Sequence, residues 1–151
     1  MSAPTAPIST NEDGARLLGA VARLNRWASR HAELSIPPAQ GRLLSLIDEL
    51  GPARIGELAA ADHCSQPTMT TQVQRVENAG WAMRSADAGD ARVALIELTD
   101  EGRDVLASLR ESRARALAPR LEHLDEAQRA ALRSATETIL QVVDINEAPK
   151  S

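Results

Sequence analysis

Aromatic side chains are almost missing: the 151 residues contain no Phe and no Tyr, only Trp27 and Trp81. A core built on stacked rings is therefore excluded, as are the base-stacking platforms typical of single-strand nucleic-acid binders. The interior must be Leu, Val, Ile and Ala, which suits closely packed helices. Lysine is absent apart from Lys150, so the basic charge is arginine. Arginine also matches phosphate and guanine geometry better than lysine does. A single cysteine, Cys64, excludes an intramolecular disulfide framework and suits a reducing compartment.

No apolar run approaches the roughly 18 residues that mark a membrane span. The first ten residues, "MSAPTAPIST", have neither the charged nor the apolar region of a signal peptide. A cytoplasmic protein with a disordered arm over residues 1–10 is expected. His31, His63 and His123 share no ligand spacing, and there is no CxxC, HxxxH, phosphate loop or nucleophile elbow. Neither a metal, a cofactor nor an enzymatic reaction is expected.

Helical periodicity fills both ends. From Glu12 to about His31, Leu17, Leu18, Val21, Leu24 and Ala28 form one apolar stripe. "SIPPAQGRLLSLIDELG" reads as a second helix, entered through Pro37 and Pro38 and closed by Gly51. Short helices follow at about 54–61 and 65–79. "WAMRSA" and "RVALIEL", flanking "DAGDA", read as a β-hairpin with a longer loop. Thr99 caps a long helix to about Leu117, with Ala118–Pro119 expected to bend or end it. "LDEAQ" opens the last helix with a capping box from Asp125 to Gln128.

The reading is a mainly α fold with a small β-hairpin wing. Its expected divisions are an arm at 1–10, N-terminal helices at 11–50, a winged helix-turn-helix at 51–100 and C-terminal helices at 101–151. The terminal helices carry apolar stripes that the small centre cannot cover, which predicts a symmetric homodimer built from both chain ends.

The polar helix at 65–79 is the informative one. Met69, Val73 and Val76 form its buried stripe at i, i+4, i+7 spacing. Thr71, Gln74 and Arg75 then point outward, with Thr68 at the edge and Ser65 or Gln66 at the cap. Gln can pair with adenine, Arg can take guanine through two bonds, and the Thr methyl can meet that of thymine. Glu77 lies off this face.

"IGELAAADHCSQPTMTTQVQRVENAGWAMRSADAGDARVALIELTDEGRDVL" resembles the MarR family of bacterial transcription regulators. The resemblance rests on Leu58-Ala59, Ser65-Gln66-Pro67-Thr68, Val76 with Ala79-Gly80-Trp81, Asp90-Ala91-Arg92, and Leu98-Thr99 with Gly102-Arg103; Gln40 matches upstream. It covers about Leu17 to Val143.

The resemblance implies a homodimeric winged helix-turn-helix with N- and C-terminal dimerisation helices. Its recognition helices would enter successive major grooves of a near-palindromic operator on double-stranded DNA, most often as a repressor of its own or adjacent genes. Carried over, the DNA-binding residues are Ser65, Gln66, Thr68, Thr71, Gln74 and Arg75, with Asp90 orienting an arginine and Arg92 entering the minor groove. Many members have two basic residues in the wing; here the middle position is Ala91, so Arg92 carries more. Members often bind small aromatic or anionic ligands between the dimer helices and the winged domain. By position Trp27, Arg30, His31 and Arg42 could line that pocket, although each also has an ordinary structural reading.

Two alternatives stay open. Residues 51–102 hold Arg54, Arg75, Arg84 and Arg92 against Glu57, Asp62, Glu77, Asp87, Asp90, Glu97, Asp100 and Glu101, so the net charge of −4 resides there. Such a balance favours a protein-interaction module, or a DNA reader using few cations and a shallow salt dependence, with about 3–4 phosphates neutralised per subunit. Cys64, beside His63 and a helix start, could act as a thiol redox switch, against the plainer reading of a small packed residue.

Overall fold

The computed structural model describes residues 10–144, so the expected arm lies outside the described residues apart from Thr10. The elements are α1 (Thr10–His31), α2 (Pro38–Leu50), α3 (Ile55–Ala61), α4 (Gln66–Asn78), β1 (Ala82–Ala86), β2 (Ala94–Leu98), α5 (Asp100–Glu122) and α6 (Glu126–Asp144). The chain divides into two compact units, 1–114 and 115–151. No described helix is long and apolar enough to cross a membrane.

In the first unit, Leu44, Ile47, Leu58, Met69, Val73, Val76 and Ile96 are fully buried in one core cluster. Burying each such aliphatic side chain contributes about 1.5–3 kcal/mol. The stripe on α4 thus supplies three of the seven most buried side chains, and its polar face is left to solvent. α1 behaves differently. Only Ala28 is buried, while Leu17, Leu18, Val21 and Leu24 stay 43–71% exposed.

β1 and β2 pair antiparallel, with Arg84 opposite Ile96 and Ala86 opposite Ala94. Arg92 and Val93 fall in the loop rather than in β2, where the sequence placed them. The Asp90 carboxylate accepts the Arg92 N–H at 3.0 Å, and the Val93 N–H donates to the Asp90 carbonyl at 2.9 Å. This turn captures the donors that strand pairing would need. A feature hidden in the sequence is an isolated antiparallel bridge: Ala53 exchanges both backbone hydrogen bonds with Ile96 at 2.8 and 3.1 Å. One residue between Pro52 and a helix has no period to detect.

Local closures hold these elements in place. α4 ends in a Schellman turn: Gly80 at φ 80° donates to the Glu77 carbonyl, and Trp81 donates to the Val76 carbonyl, both at 2.9 Å. α3 ends the same way with His63 at φ 52° in place of glycine, donating to Ala60, and Cys64 donating to Ala59. Thr99 ties the exit of α4 to α5. Its hydroxyl donates to the Gly80 carbonyl at 2.6 Å and accepts the Gly102 N–H at 3.0 Å.

α5 does not stop at Ala118–Pro119 but continues to Glu122. Pro119 removes a single hydrogen bond, to the Arg115 carbonyl, and three residues beyond it keep helical geometry. In the second unit the capping box forms as expected: Asp125 accepts the Gln128 N–H at 2.7 Å, and the Gln128 amide oxygen accepts the Asp125 N–H at 3.0 Å. α6 has no buried residue, and Leu132, Leu140, Val142 and Val143 are 47–58% exposed.

Candidate nucleic-acid interface

α4 begins where the Ser65 hydroxyl accepts the Thr68 N–H at 3.3 Å and meets the Thr68 hydroxyl at 2.8 Å. Pro67 sits in the first turn, where its missing N–H leaves no gap. Thr71 donates to the Pro67 carbonyl at 3.0 Å. Gln74 donates to the Asn78 side chain at 2.9 Å and keeps a second N–H and its oxygen for other partners. Among the described residues no carboxylate pairs with Arg75, which is exposed. Ser65, Thr68, Thr71, Gln74 and Arg75 are all exposed around buried Met69, Val73 and Val76.

Gln66 is exposed as well, but its amide lies close over Gly56 at the start of α3; a Cβ on Gly56 would come within 3.1 Å of it. In this arrangement Gln66 rests against the preceding helix of the helix-turn-helix.

The acids of this region are largely occupied. Glu77, whose side chain is 16% exposed, takes a two-bond pair from Arg84 on β1 at 2.9 and 3.1 Å. Asp62, in the turn before α4, pairs with Arg42 of α2 at 3.1 Å. Glu57 caps α3 by accepting the Arg54 N–H at 2.7 Å. The apparent acidity of residues 51–102 is thus mostly consumed in internal pairs, away from the exposed face of α4.

The wing is built on two aspartates. Asp90 holds Arg92 through Nε at 3.0 Å and Nη2 at 3.1 Å, with the Arg92 side chain 90% exposed. Asp87 accepts the Gly89 N–H at 2.8 Å and the Arg54 guanidinium at 3.3 Å. The Gly89 amide and then Arg54 hold the Asp87 carboxyl below its ordinary range. The bonds from the Arg92 side chain and backbone do the same for Asp90, and Asp90 in turn raises Arg92. Each expected wing residue is thus placed on one loop. Arg54 and Arg84 were missed by sequence reasoning, because their partners lie 33 and 7 residues away with no helical or strand period linking them.

A separate cavity of about 280 Å³ lies in the first unit, between α1, α2 and α5. Leu34, Ile36, Leu106 and Leu109 give it apolar walls; Arg42, Arg110 and Arg113 bring guanidinium groups. Of the four residues expected at a ligand pocket, Arg42 lines it. Trp27 and His31 instead stack on each other at 4.4 Å, the His31 ring nitrogen sits 2.8 Å from the Trp27 carbonyl oxygen, and Arg30 is exposed. Cys64 is half-buried against the core. Among the described residues no three His, Cys, Asp or Glu side chains gather as metal ligands would.

Residues 36–94, which span α2 to the first residue of β2, match the MarR family model. Over this central stretch the chain is similar to the MarR family. It is 29% identical over 126 residues to a helix-turn-helix-type transcriptional regulator of Mycobacterium tuberculosis, covering 83% of this chain and 88% of that one. A MarR family protein from Bacillus stearothermophilus has the same fold, with a TM-score of 0.69, 24% identity, and 89% and 95% of the two chains covered. A MepR variant from S. aureus, solved bound to an oligodeoxyribonucleotide, superposes with a TM-score of 0.59 at 19% identity over 85% and 96% of the chains. Its similarities are thus to helix-turn-helix transcriptional regulators.

Proposed function

We propose that the protein is a homodimeric repressor that reads a near-palindromic operator. α4 would lie in the major groove with Thr68, Thr71, Gln74 and Arg75 toward base edges, Ser65 and Gln66 at its entry, and Arg92 in the minor groove. The observation that carries this reading is the exposed face of α4, which among the described residues holds hydrogen-bonding side chains and an unpaired Arg75 but no carboxylate. The nearby Glu77 is turned aside and neutralised by Arg84.

Dimerisation is supported by the exposed apolar faces of α1 and of α6. Release by a small ligand is supported by the cavity, whose apolar walls and three arginines suit an amphipathic anion, although each arginine already has an internal partner: Asp62, Asp48 and Asn25 respectively. Such a ligand acts only if it binds the DNA-incompetent state more tightly.

The test is duplex binding by Arg75→Ala and Arg92→Ala variants. Each should cost about 1–3 kcal/mol of operator affinity, Arg75→Ala with loss of discrimination at one base pair. Unchanged affinity in both variants would assign the helix to protein contacts instead.

A further inference from the structure

The wing loop carries a single arginine of its own, Arg92, with alanine at position 91. The structure brings another arginine to the same place. Arg54, at the start of α3, follows the Ala53 bridge to the wing sheet, and its guanidinium reaches the wing loop at Asp87. The two wing aspartates are built alike. Each closes a turn on an N–H two residues ahead, Gly89 for Asp87 and Arg92 for Asp90, and each holds one arginine.

The grips differ in strength. Arg92 is held through two bonds, whereas Arg54 makes one contact at 3.3 Å and its side chain stays 54% exposed. Most of the guanidinium donors of Arg54 therefore remain open to solvent and to a further acceptor. The charged groups facing Arg54 are Asp87, Asp90 and Glu57; the last is occupied by the α3 backbone.

We infer that Arg54 supplies the wing with the second DNA-backbone cation that position 91 lacks, reaching phosphate from the base of the wing while Asp87 orients it. The inference rests on the DNA reading above and adds a residue to it. A phosphate contact carries no sequence information, so Arg54 sets affinity and register, not operator choice.

The experiment uses the full chain with promoter and shuffled duplexes over a salt series. It compares the unsubstituted protein with Arg54→Gln, which keeps donors for Asp87 but removes the charge, and with Arg54→Gln plus Ala91→Arg. Arg54→Gln should weaken both duplexes by the same factor and lower the steepness of the salt dependence by about 0.9 per subunit. The fall in affinity between 50 and 200 mM salt then shrinks by about 3.5-fold per subunit. Adding Ala91→Arg should restore the slope. Lost affinity with an unchanged slope would make Arg54 a wing anchor only, and a slope that Ala91→Arg fails to restore would likewise overturn the inference. Failure of the unsubstituted protein to prefer its promoter would refute the DNA reading itself, which is a separate and distinguishable result.

Discussion

Single residues carry several of the fold's tightest constraints. A Cβ on Gly102 would lie 1.9 Å from the Trp81 carbonyl oxygen, a backbone atom that cannot step aside. Gly102→Ala should therefore destabilise the protein by about 3 kcal/mol or more, seen as an early denaturant midpoint, because α5 must move off the start of the wing. His63 has the opposite sign. It is exposed and held at φ 52°, where an L side chain costs about 1–2 kcal/mol and glycine costs nothing sterically. His63→Gly should raise stability by about 0.5–1 kcal/mol after the entropy of the unfolded chain is counted. The wing adds a pH dependence. Asp87 and Asp90 titrate below 3.8 in the folded chain, so their bonds to Arg54 and Arg92 are complete above the unfolded carboxyl range and are lost as pH falls through the lowered values. Carboxyl NMR titration should give midpoints below 3.8 for both, with loss of the turn amide signals only in that acid range.

Elements differ in how far the sequence reveals them. α4 was legible because its buried stripe and its polar cap agree, and the structure buries the very three residues of that stripe. The Asp125 capping box was legible for the same reason: both partners lie within one turn. α5 was misread at its end, since a proline looks like a stop while the cost of one lost hydrogen bond is borne by a helix of 23 residues. The wing was half legible. Its loop composition announced a hairpin, but Asp90 pulls Arg92 out of strand register through a side-chain bond that no alternation pattern encodes. The site followed the same division. Exposed α4 residues follow from helical geometry, whereas Arg54 with Asp87 and Arg84 with Glu77 depend on tertiary approach. The cavity too gathers residues from three helices, which position along a single helix does not reveal.

At the scale of the whole molecule, the net charge of −4 and the proposed affinity for a polyanion are compatible because charge placement outranks its total. Carboxylates are tied to arginines within the winged region, and among the described residues none pairs with Arg75 on the outward face. The exposed leucines of α1 and α6 are the other whole-molecule signature. Replacing Leu132 and Leu140 with Asp should weaken self-association by about 2 kcal/mol or more, roughly 30-fold, read by light scattering over a dilution series. A monomeric unsubstituted protein would contradict the proposed dimer. The most direct measurement of the central claim is binding of the full chain to its own promoter duplex and to a shuffled duplex over a salt series. The account predicts preference for the promoter with a shallow slope, near −0.9 for each of about 3–4 phosphates per subunit. Equal and weak binding to both duplexes at low salt would contradict it.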